Sequence, residues 1–351
     1  MIGRFKLLFV SLFVGLFFVG FMLITERVLS PRDEKTMHEV SLRKDVSTKM
    51  PNKEVSSPFR EIVESLERKD TPMLDELSEK LILRFPESLP ELEAMIQSKE
   101  SEVREFSGMT LARIGTAEAV KTLLAAIKEE GDFLTRENLI EALRGVTNVA
   151  GVPTLARCAE DLQDLNLHRV CRDIISGFDD PAAASTVIAL LEQGQREDNE
   201  PLVYALAHMQ SEKAIPVLVS GASLKHKEIA KPAMQALGNM QSRFGFRALF
   251  EILAANDGNW RGEIATAVAL ETALSSKNNA FVNECERVIE NSVNPRAIKA
   301  AIESLVIMSI PEASIALDRQ YSKVTDGSIR SYLESGLAKR KTLWSAQAPN
   351  N

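Results

Sequence analysis

Two sets of apolar residues recur along the chain at a spacing of about one helical hairpin. The first set comprises Leu111, Leu143, Ile175, Leu206 and Leu237. The second set comprises Leu123, Leu155, Val187, Leu218 and Leu249. Because both sets keep the same phase at a period of about 31 residues, the sequence predicts a tandem array of helix pairs. A single pair leaves its apolar stripe exposed, so successive pairs must stack.

The clearest unit of this array carries signals at both helix ends. Ser101 is expected to cap its first helix, Gly115 to end that helix, and residues 120–127 to supply the apolar face of the second helix. A further helix start is expected where Asp180 caps and Pro181 opens a helix. The two apolar sets extend to earlier and later units through Leu81, Leu92, Leu274, Leu305 and Leu337.

A known repeat family is similar to this clearest unit. The short HEAT repeat of the phycobilisome-lyase type resembles it in the motifs Val103-Arg104, Leu111-Ala112-Arg113-Ile114-Gly115 and Ala119-Val120-x-x-Leu123-Leu124. The resemblance covers roughly residues 71–340 and implies a right-handed α-solenoid whose second helices line the concave side. We therefore predict an all-α fold of stacked antiparallel helix pairs, about eight in number, over residues 58–341. Residues 342–351 are expected to form a polar C-terminal tail.

The N-terminal part of the sequence is a run of 18 uncharged residues, 7–24, of which 14 are Leu, Ile, Phe or Val. At about 1.5 Å per residue, a helix of this length spans roughly 27 Å, enough for the hydrocarbon core of a bilayer. The run is longer than the apolar part of most cleaved signal peptides. In addition, Pro31 follows the best cleavage candidate, residues 28–30. The sequence therefore favours an uncleaved transmembrane signal anchor over residues 1–24, with a cleaved signal peptide as the alternative.

The segment after this run, residues 25–57, has mixed charges and no apolar period, which predicts a flexible tether. Arg4 and Lys6 precede the apolar run and favour a cytoplasmic N-terminus. We therefore expect a bacterial single-pass protein of the inner (cell) membrane, with the helical array on the periplasmic or extracytoplasmic side. An array that faces the cytoplasm is the alternative.

Composition limits the chemistry that the chain can carry. Its 351 residues are 45% hydrophobic and 26% charged, which is typical of globular proteins. The formal net charge of -7 argues against nucleic-acid binding, which usually requires a basic surface. Neither the 4 His nor the 3 Cys residues have metal-site spacing. HEAT-type hydroxylases hold iron with His-Glu pairs inside their repeats, whereas the His-Glu pair here, His38-Glu39, lies in the tether. We therefore predict no catalytic, metal-binding or cofactor-binding residues, and no small-molecule substrate.

Two cysteines flank one of the predicted turns. Cys158 lies in the second helix of one pair and Cys171 in the first helix of the next. The midpoint of the two positions falls in the middle of the connecting loop near residues 161–168, so an antiparallel pair places them at the same height. They are a candidate disulfide if the array is exported, the alternative being two small buried hydrophobic side chains. Cys285 would then remain alone, and we expect it in the core.

Two short segments at predicted turns are candidate contacts for a partner. Arginine and aromatic side chains are frequent anchors in protein interfaces. The candidates are Arg243, Phe244, Arg247, Trp260 and Arg261. The alternative for the first segment is that Phe246 takes the core position of Val120, and for Trp260 that it caps the next helix pair.

The function predicted from these features is binding. We expect a non-catalytic scaffold or adaptor that holds a protein partner at the membrane surface on a large preformed surface. The alternative is an enzyme or enzyme subunit of the HEAT-like lyase group. A deep cleft with clustered titratable side chains would favour the enzyme, and a broad open groove would favour the scaffold.

Overall fold

The computed structural model describes residues 57–193 and 199–345, which form 18 α-helices and no β-strand. The helices are α1 (Ser57–Arg68), α2 (Thr71–Leu83), α3 (Leu89–Ile96), α4 (Ser101–Ile114), α5 (Ala117–Glu129), α6 (Phe133–Arg144), α7 (Val152–Glu160), α8 (Leu165–Ser176), α9 (Pro181–Gln193), α10 (Glu200–Ala207), α11 (Ile215–Ala222), α12 (Lys227–Asn239), α13 (Arg243–Ala255), α14 (Trp260–Ser275), α15 (Asn279–Asn291), α16 (Pro295–Ile307), α17 (Pro311–Lys323) and α18 (Gly327–Ser345). The all-α prediction is confirmed for these residues.

The helices stack as a regular array of two layers. Taken in sequence from α2, the helices form successive pairs, α2 with α3 through α16 with α17. The first helix of each pair packs on the first helix of the next, and the second helices pack on one another in the same way. The second helix of each pair also packs against the first helix of the following pair. Each helix therefore finds its apolar partners within the adjacent pairs, which is the contact pattern of a repeat protein.

The two apolar sets found in the sequence supply the core between the layers. All ten of their central members, from Leu111 to Leu249, are fully buried. The extension to Leu274 is wrong, because this side chain is 64% exposed and Ala273 is buried instead. Val268 and Ala269, which follow Leu237 at the usual spacing of the repeat, are buried, so the pattern continues there and does not extend to Leu274.

Helix ends follow the local sequence with one small difference. Gly115 ends α4 in the left-handed conformation, with φ at 63°, where a side chain is disfavoured. The carboxylate of Asp180 accepts the backbone N–H of Ala182 (2.8 Å) at the start of α9. Ser101 is the first residue of α4 rather than its cap, since the N-cap position belongs to Glu100.

Polar contacts between successive units reinforce the apolar core. Asparagine side chains donate to carbonyl groups near the ends of earlier helices: Asn148 to Ile114 (3.0 Å), Asn239 to Ala207 (2.9 Å) and Asn294 to Ala254 (3.0 Å). These carbonyl groups have no partner within their own helix. The asparagines therefore satisfy the helix ends and fix the offset between neighbouring units.

The last helix, α18, is held by one buried arginine. The guanidinium of Arg340 donates to four carbonyl groups at the end of α16 and in the turn that follows: Leu305 (2.7 Å), Val306 (3.0 Å), Met308 (2.7 Å) and Ile310 (2.8 Å). Burial lowers the pKa of this guanidinium. A cation at the C-terminal end of a helix also interacts favourably with the helix dipole.

Two of the predicted boundaries and the predicted localisation need correction. Helix α18 continues to Ser345, so the first part of the expected C-terminal tail is helical. The membrane localisation is contradicted, because no helix within residues 57–193 and 199–345 is long and apolar enough to cross a bilayer. The array begins at residue 57, the last residue of the tether predicted at 25–57; the rest of that tether and the predicted anchor at 1–24 lie outside the described residues.

Candidate docking edge

The turns of the array form two opposite edges. Turns inside a pair lie along one edge, and turns that join one pair to the next lie along the other, which we call the inter-pair edge. Short turns between packed neighbours, such as residues 161–164 between α7 and α8, make antiparallel hairpins. Residues in successive inter-pair turns are therefore neighbours in space although about one repeat apart in sequence.

Large apolar side chains are exposed at two consecutive inter-pair turns. Phe133 is 75% exposed and Leu134 is 66% exposed at the start of α6. Leu162 and Leu165, in the turn before α8 and at its first position, are 67% and 60% exposed. These four residues, hereafter the apolar patch, stand out from an array whose other apolar side chains are mostly buried.

Helix capping explains why these side chains face outward. Asp132 accepts the backbone N–H of Thr135 (2.9 Å) and caps α6, and Asp164 accepts the N–H of Leu167 (3.0 Å) and caps α8. The next residue in each case, Phe133 or Leu165, occupies the first helical position. That position precedes the buried register of the helix, so its side chain stays outside the core.

Ion pairs link the two turns of the apolar patch to each other and to the preceding unit. Arg104 of α4 binds Glu130 (2.7 Å), Lys128 binds Asp161 (2.5 Å), and Arg136 binds Asp164, so three consecutive inter-pair turns are linked. Burial acts to raise the pKa of Glu130, but the backbone N–H of Asp132 and the Arg104 guanidinium outweigh it and hold that pKa below its usual value. The hydrogen bond from Lys128, with one from the Gln163 backbone, lowers the pKa of Asp161.

A disulfide closes the hairpin that carries half of the apolar patch. Cys158 of α7 and Cys171 of α8 are bonded through their sulfur atoms (2.02 Å), with their Cα atoms 6.0 Å apart. Both residues are buried. The loop that presents Leu162 and Leu165 lies between them and is therefore tied at its base. Cys285, by contrast, is a free and buried thiol, and its burial raises its pKa well above the usual value.

Trp260 and Arg261, two of the candidates from the sequence, also lie on the inter-pair edge. They are the first two residues of α14. Two cations cover the indole ring, since Arg261 lies 4.5 Å and Lys227 lies 5.5 Å from its centroid. Arg261 also donates to the carbonyl of Leu224 (2.9 Å) in the preceding inter-pair turn. Both side chains are half-buried and contact the preceding unit, whereas the cap of α14 is Asn259.

Arg243, Phe244 and Arg247 lie on the opposite edge. They begin α13, whose 13 residues at about 1.5 Å each put them roughly 20 Å along the hairpin from Trp260. Arg243 is exposed and Phe244 is 56% exposed, whereas Arg247 is half-buried with its Nε 3.7 Å from Glu284. The structure therefore does not bring the two candidate segments together.

Phe246, the core alternative within the first segment, is buried. Its ring packs edge-on against the ring of Phe281, with the centroids 4.7 Å apart. The neighbouring Phe244 points away from this aromatic cluster and stays exposed. The register found in the sequence therefore separates the buried from the exposed phenylalanine correctly.

Sequence reasoning missed the residues of the apolar patch. The signal was present, because Phe133 and Leu165 each follow an aspartate cap and fall outside the buried register. The two positions are also equivalent, since each is the first residue of its helix in successive units. The stacking that brings equivalent turns side by side was needed to recognise them as one surface.

A groove of about 710 Å³ lies on the opposite edge, at the turns inside the pairs. Its ionisable lining residues are Arg144, Asp173, Asp179, Asp180 and Lys213. Several of them already have structural partners: Asp179 binds Lys213 and Ser211, which lowers the pKa of Asp179, and Asp180 caps α9. Within the described ranges, no cluster of three or more His, Cys, Asp or Glu side chains is arranged to hold a metal ion.

The fold and its edges are those of a helical repeat protein, and comparison with known proteins supports this class. A family model for HEAT repeats matches residues 73–144, which correspond to α2 through α6. No curated protein matches the sequence significantly. The match covers the part of the chain in which the HEAT resemblance was sharpest.

Solved structures with similar helical folds include two enzymes and an engineered protein. Human deoxyhypusine hydroxylase, in complex with glycerol, is 15% identical over 77% of this chain and 99% of its own, with a TM-score of 0.26. The complex of CpcE and CpcF of phycocyanin lyase from a Nostoc species is 20% identical over 62% and 93%, with a TM-score of 0.25. An engineered protein is 17% identical over 72% and 96%, with a TM-score of 0.25. At these identities the similarity concerns the fold alone.

Proposed function

We propose that this protein is a non-catalytic scaffold or adaptor that binds a protein partner at the inter-pair edge. The observation that carries the proposal is the apolar patch, whose four large side chains are each 60–75% exposed on adjacent turns. A contiguous exposed apolar surface with a polar rim is typical of protein interaction sites.

The structure around the apolar patch favours docking without rearrangement. The disulfide between Cys158 and Cys171 fixes the hairpin of Leu162 and Leu165. The ion pairs of Lys128 and Arg136 join that hairpin to the turn of Phe133. Because the surface is already ordered, binding loses little conformational entropy.

The size of the apolar patch indicates that a partner must make polar contacts as well. Covering the exposed parts of four such side chains would contribute roughly 4–8 kcal/mol. Association costs about 4–15 kcal/mol in lost translational and rotational freedom. The apolar contacts alone therefore cannot support tight binding, and the charged rim of the patch must take part.

Site-specific photocrosslinking in intact cells tests the proposal. A photoreactive residue placed at Leu165 of the full-length chain is expected to give a discrete crosslinked product with another protein. Leu83 is the matched control, because it is 82% exposed but lies at the end of α2 on the opposite edge. Products that are absent at Leu165, or identical at both positions, would contradict docking at this edge.

The alternative is an enzyme or enzyme subunit of the HEAT-like lyase group. Its site would be the groove at the turns inside the pairs, where Arg144, Asp173 and Lys213 line a surface cavity. The groove is open, and Asp179 and Asp180 in its lining already serve an ion pair and a helix cap. These commitments favour the scaffold over the enzyme.

A further inference from the structure

The rim of the apolar patch carries more acidic than basic side chains. Residues 128–137 and 160–169, which form the two turns and their flanking helix ends, contain seven carboxylates and three cations. Lys128 is paired with Asp161 and Arg136 with Asp164, whereas Arg169 is exposed one helical turn beyond Leu165. Glu129, Asp132 and Glu160 are exposed beside the apolar side chains. The surface therefore presents negative charge around an apolar centre.

The spacing of the apolar side chains fits one kind of partner. Phe133 and Leu165 hold equivalent positions on α6 and α8, and packed neighbouring helices lie about 8–10 Å apart. In an α-helix, residues seven positions apart are separated by about 10.5 Å along the axis and lie on the same face. A helix lying across the two turns thus presents one apolar side chain to each.

We propose that the apolar patch binds a cationic amphipathic helix, whose apolar stripe contacts Phe133, Leu134, Leu162 and Leu165 and whose lysine or arginine side chains face Glu129, Asp132 and Glu160. This proposal rests on the proposed function and specifies its partner. Charge complementarity selects this occupant, because an acidic helix would meet like charges. A second copy of this chain would present the same acidic rim and is disfavoured for the same reason.

The test uses a synthetic helical peptide of about 18 residues, with Leu at helical spacing and Lys elsewhere, and fluorescence anisotropy with the full-length chain. Two control peptides are a scrambled sequence of identical composition and a version with Glu in place of Lys. We expect the scrambled and acidic peptides to bind at least about tenfold more weakly. Binding of the amphipathic peptide should also weaken when salt is raised from about 50 mM to about 300 mM.

Variants of the chain locate the binding surface. The double variant Phe133→Ser and Leu165→Ser is expected to weaken peptide binding at least about tenfold, while Leu83→Ser leaves it unchanged. Since all three side chains are mostly exposed, the far-ultraviolet circular dichroism of both variants should match the parent. Unchanged binding in the double variant, or equal binding of the scrambled peptide, would overturn the proposal.

Failure of this inference can be distinguished from failure of the proposed function. A photocrosslink at Leu165 without any binding of the cationic peptide would retain the scaffold but exclude a cationic helix as its partner. Self-association of the full-length chain that the double variant abolishes, without peptide binding, would instead identify a second copy as the occupant. Loss of both the crosslink and peptide binding would overturn both proposals.

Discussion

Equivalent residues in two regions of the inter-pair edge differ in their exposure to solvent. Leu165 and Trp260 each occupy the first position of a helix, after an Asp or Asn cap. Leu165 is exposed, whereas the ring of Trp260 is covered by Lys227 and Arg261. The position in the repeat is the same, so the neighbouring unit makes the difference.

The residue one unit earlier decides whether the side chain is presented or covered. Lys227 begins the first helix of the unit before Trp260 and reaches over its ring. Phe133 begins the first helix of the unit before Leu165 and extends the apolar surface instead of covering it. In a stacked array, the surface of each unit is therefore set partly by its neighbour, and these two regions can be tested separately.

The largest effect should come from removing the disulfide at the base of the turn that presents Leu165. Replacing both Cys158 and Cys171 with Ala is expected to lower the free energy of unfolding by about 3 kcal/mol, because the bridge closes a short loop in the unfolded chain. Urea denaturation followed by circular dichroism measures the change. Reductant should produce the same loss in the parent and none in the variant; equal stability of both proteins would contradict the structural role.

A smaller effect is expected from breaking the ion pair between Arg104 and Glu130. Arg104→Met should cost about 2 kcal/mol, because it leaves the largely buried carboxylate of Glu130 without its partner. The matched control is Lys80→Met, whose pair with Glu76 is more than half exposed and should cost much less because solvent screens it. Equal costs in chemical denaturation would show that burial does not distinguish the two pairs.

Alanine substitutions at Leu165 and Trp260 test the contrast between the exposed and the covered side chain. Trp260→Ala should lower the free energy of unfolding by about 1–2 kcal/mol, since it removes packing and two cation–π contacts. Leu165→Ala should change it by less than about 0.5 kcal/mol, because the side chain is mostly exposed. The two regions would be alike, and our interpretation wrong, if denaturation gave the same value for both variants.

The smallest effect concerns pH and the acidic turns. The hydrogen bond from Lys128 lowers the pKa of Asp161, and the Thr135 backbone and hydroxyl lower that of Asp132. Their contribution to stability is complete above the ordinary carboxyl pKa of about 4 and is lost as the pH falls towards the lower folded values. The thermal midpoint should therefore be flat from about pH 7 to about pH 5 and then decrease. Asp161→Asn should make that decrease shallower, and an unchanged profile would argue against the role of this carboxylate.

The sequence predicted the structural features that are determined within one helix or one helical hairpin. The buried registers, the left-handed Gly115 and the equal height of Cys158 and Cys171 follow from spacing within one or two helices. The exposure of Trp260 could not be predicted in this way, because Lys227 covers it from the previous unit. Leu274 was assigned wrongly because the buried positions of α14, Val268 and Ala269, keep the usual period of the repeat.

The candidate site was harder to predict than the fold. Aromatic and arginine residues drew attention to the turns at residues 243–247 and 260–261, yet most of these side chains have structural contacts. The apolar patch depends on two turns that become adjacent only after stacking. Its individual residues look like ordinary helix starts in the sequence.

The contacts of Arg340 attach the last described helix, α18, to the end of the array. A stack of similar units has no intrinsic reason to stop, and its last surface could accept another molecule end to end. Here the buried Arg340 of α18 donates to carbonyl groups of the preceding unit, while Arg330, Glu334 and Lys339 are exposed on the same helix. These charges, which flank the partly exposed Tyr332 and Leu343, disfavour end-to-end stacking of another repeat array against α18.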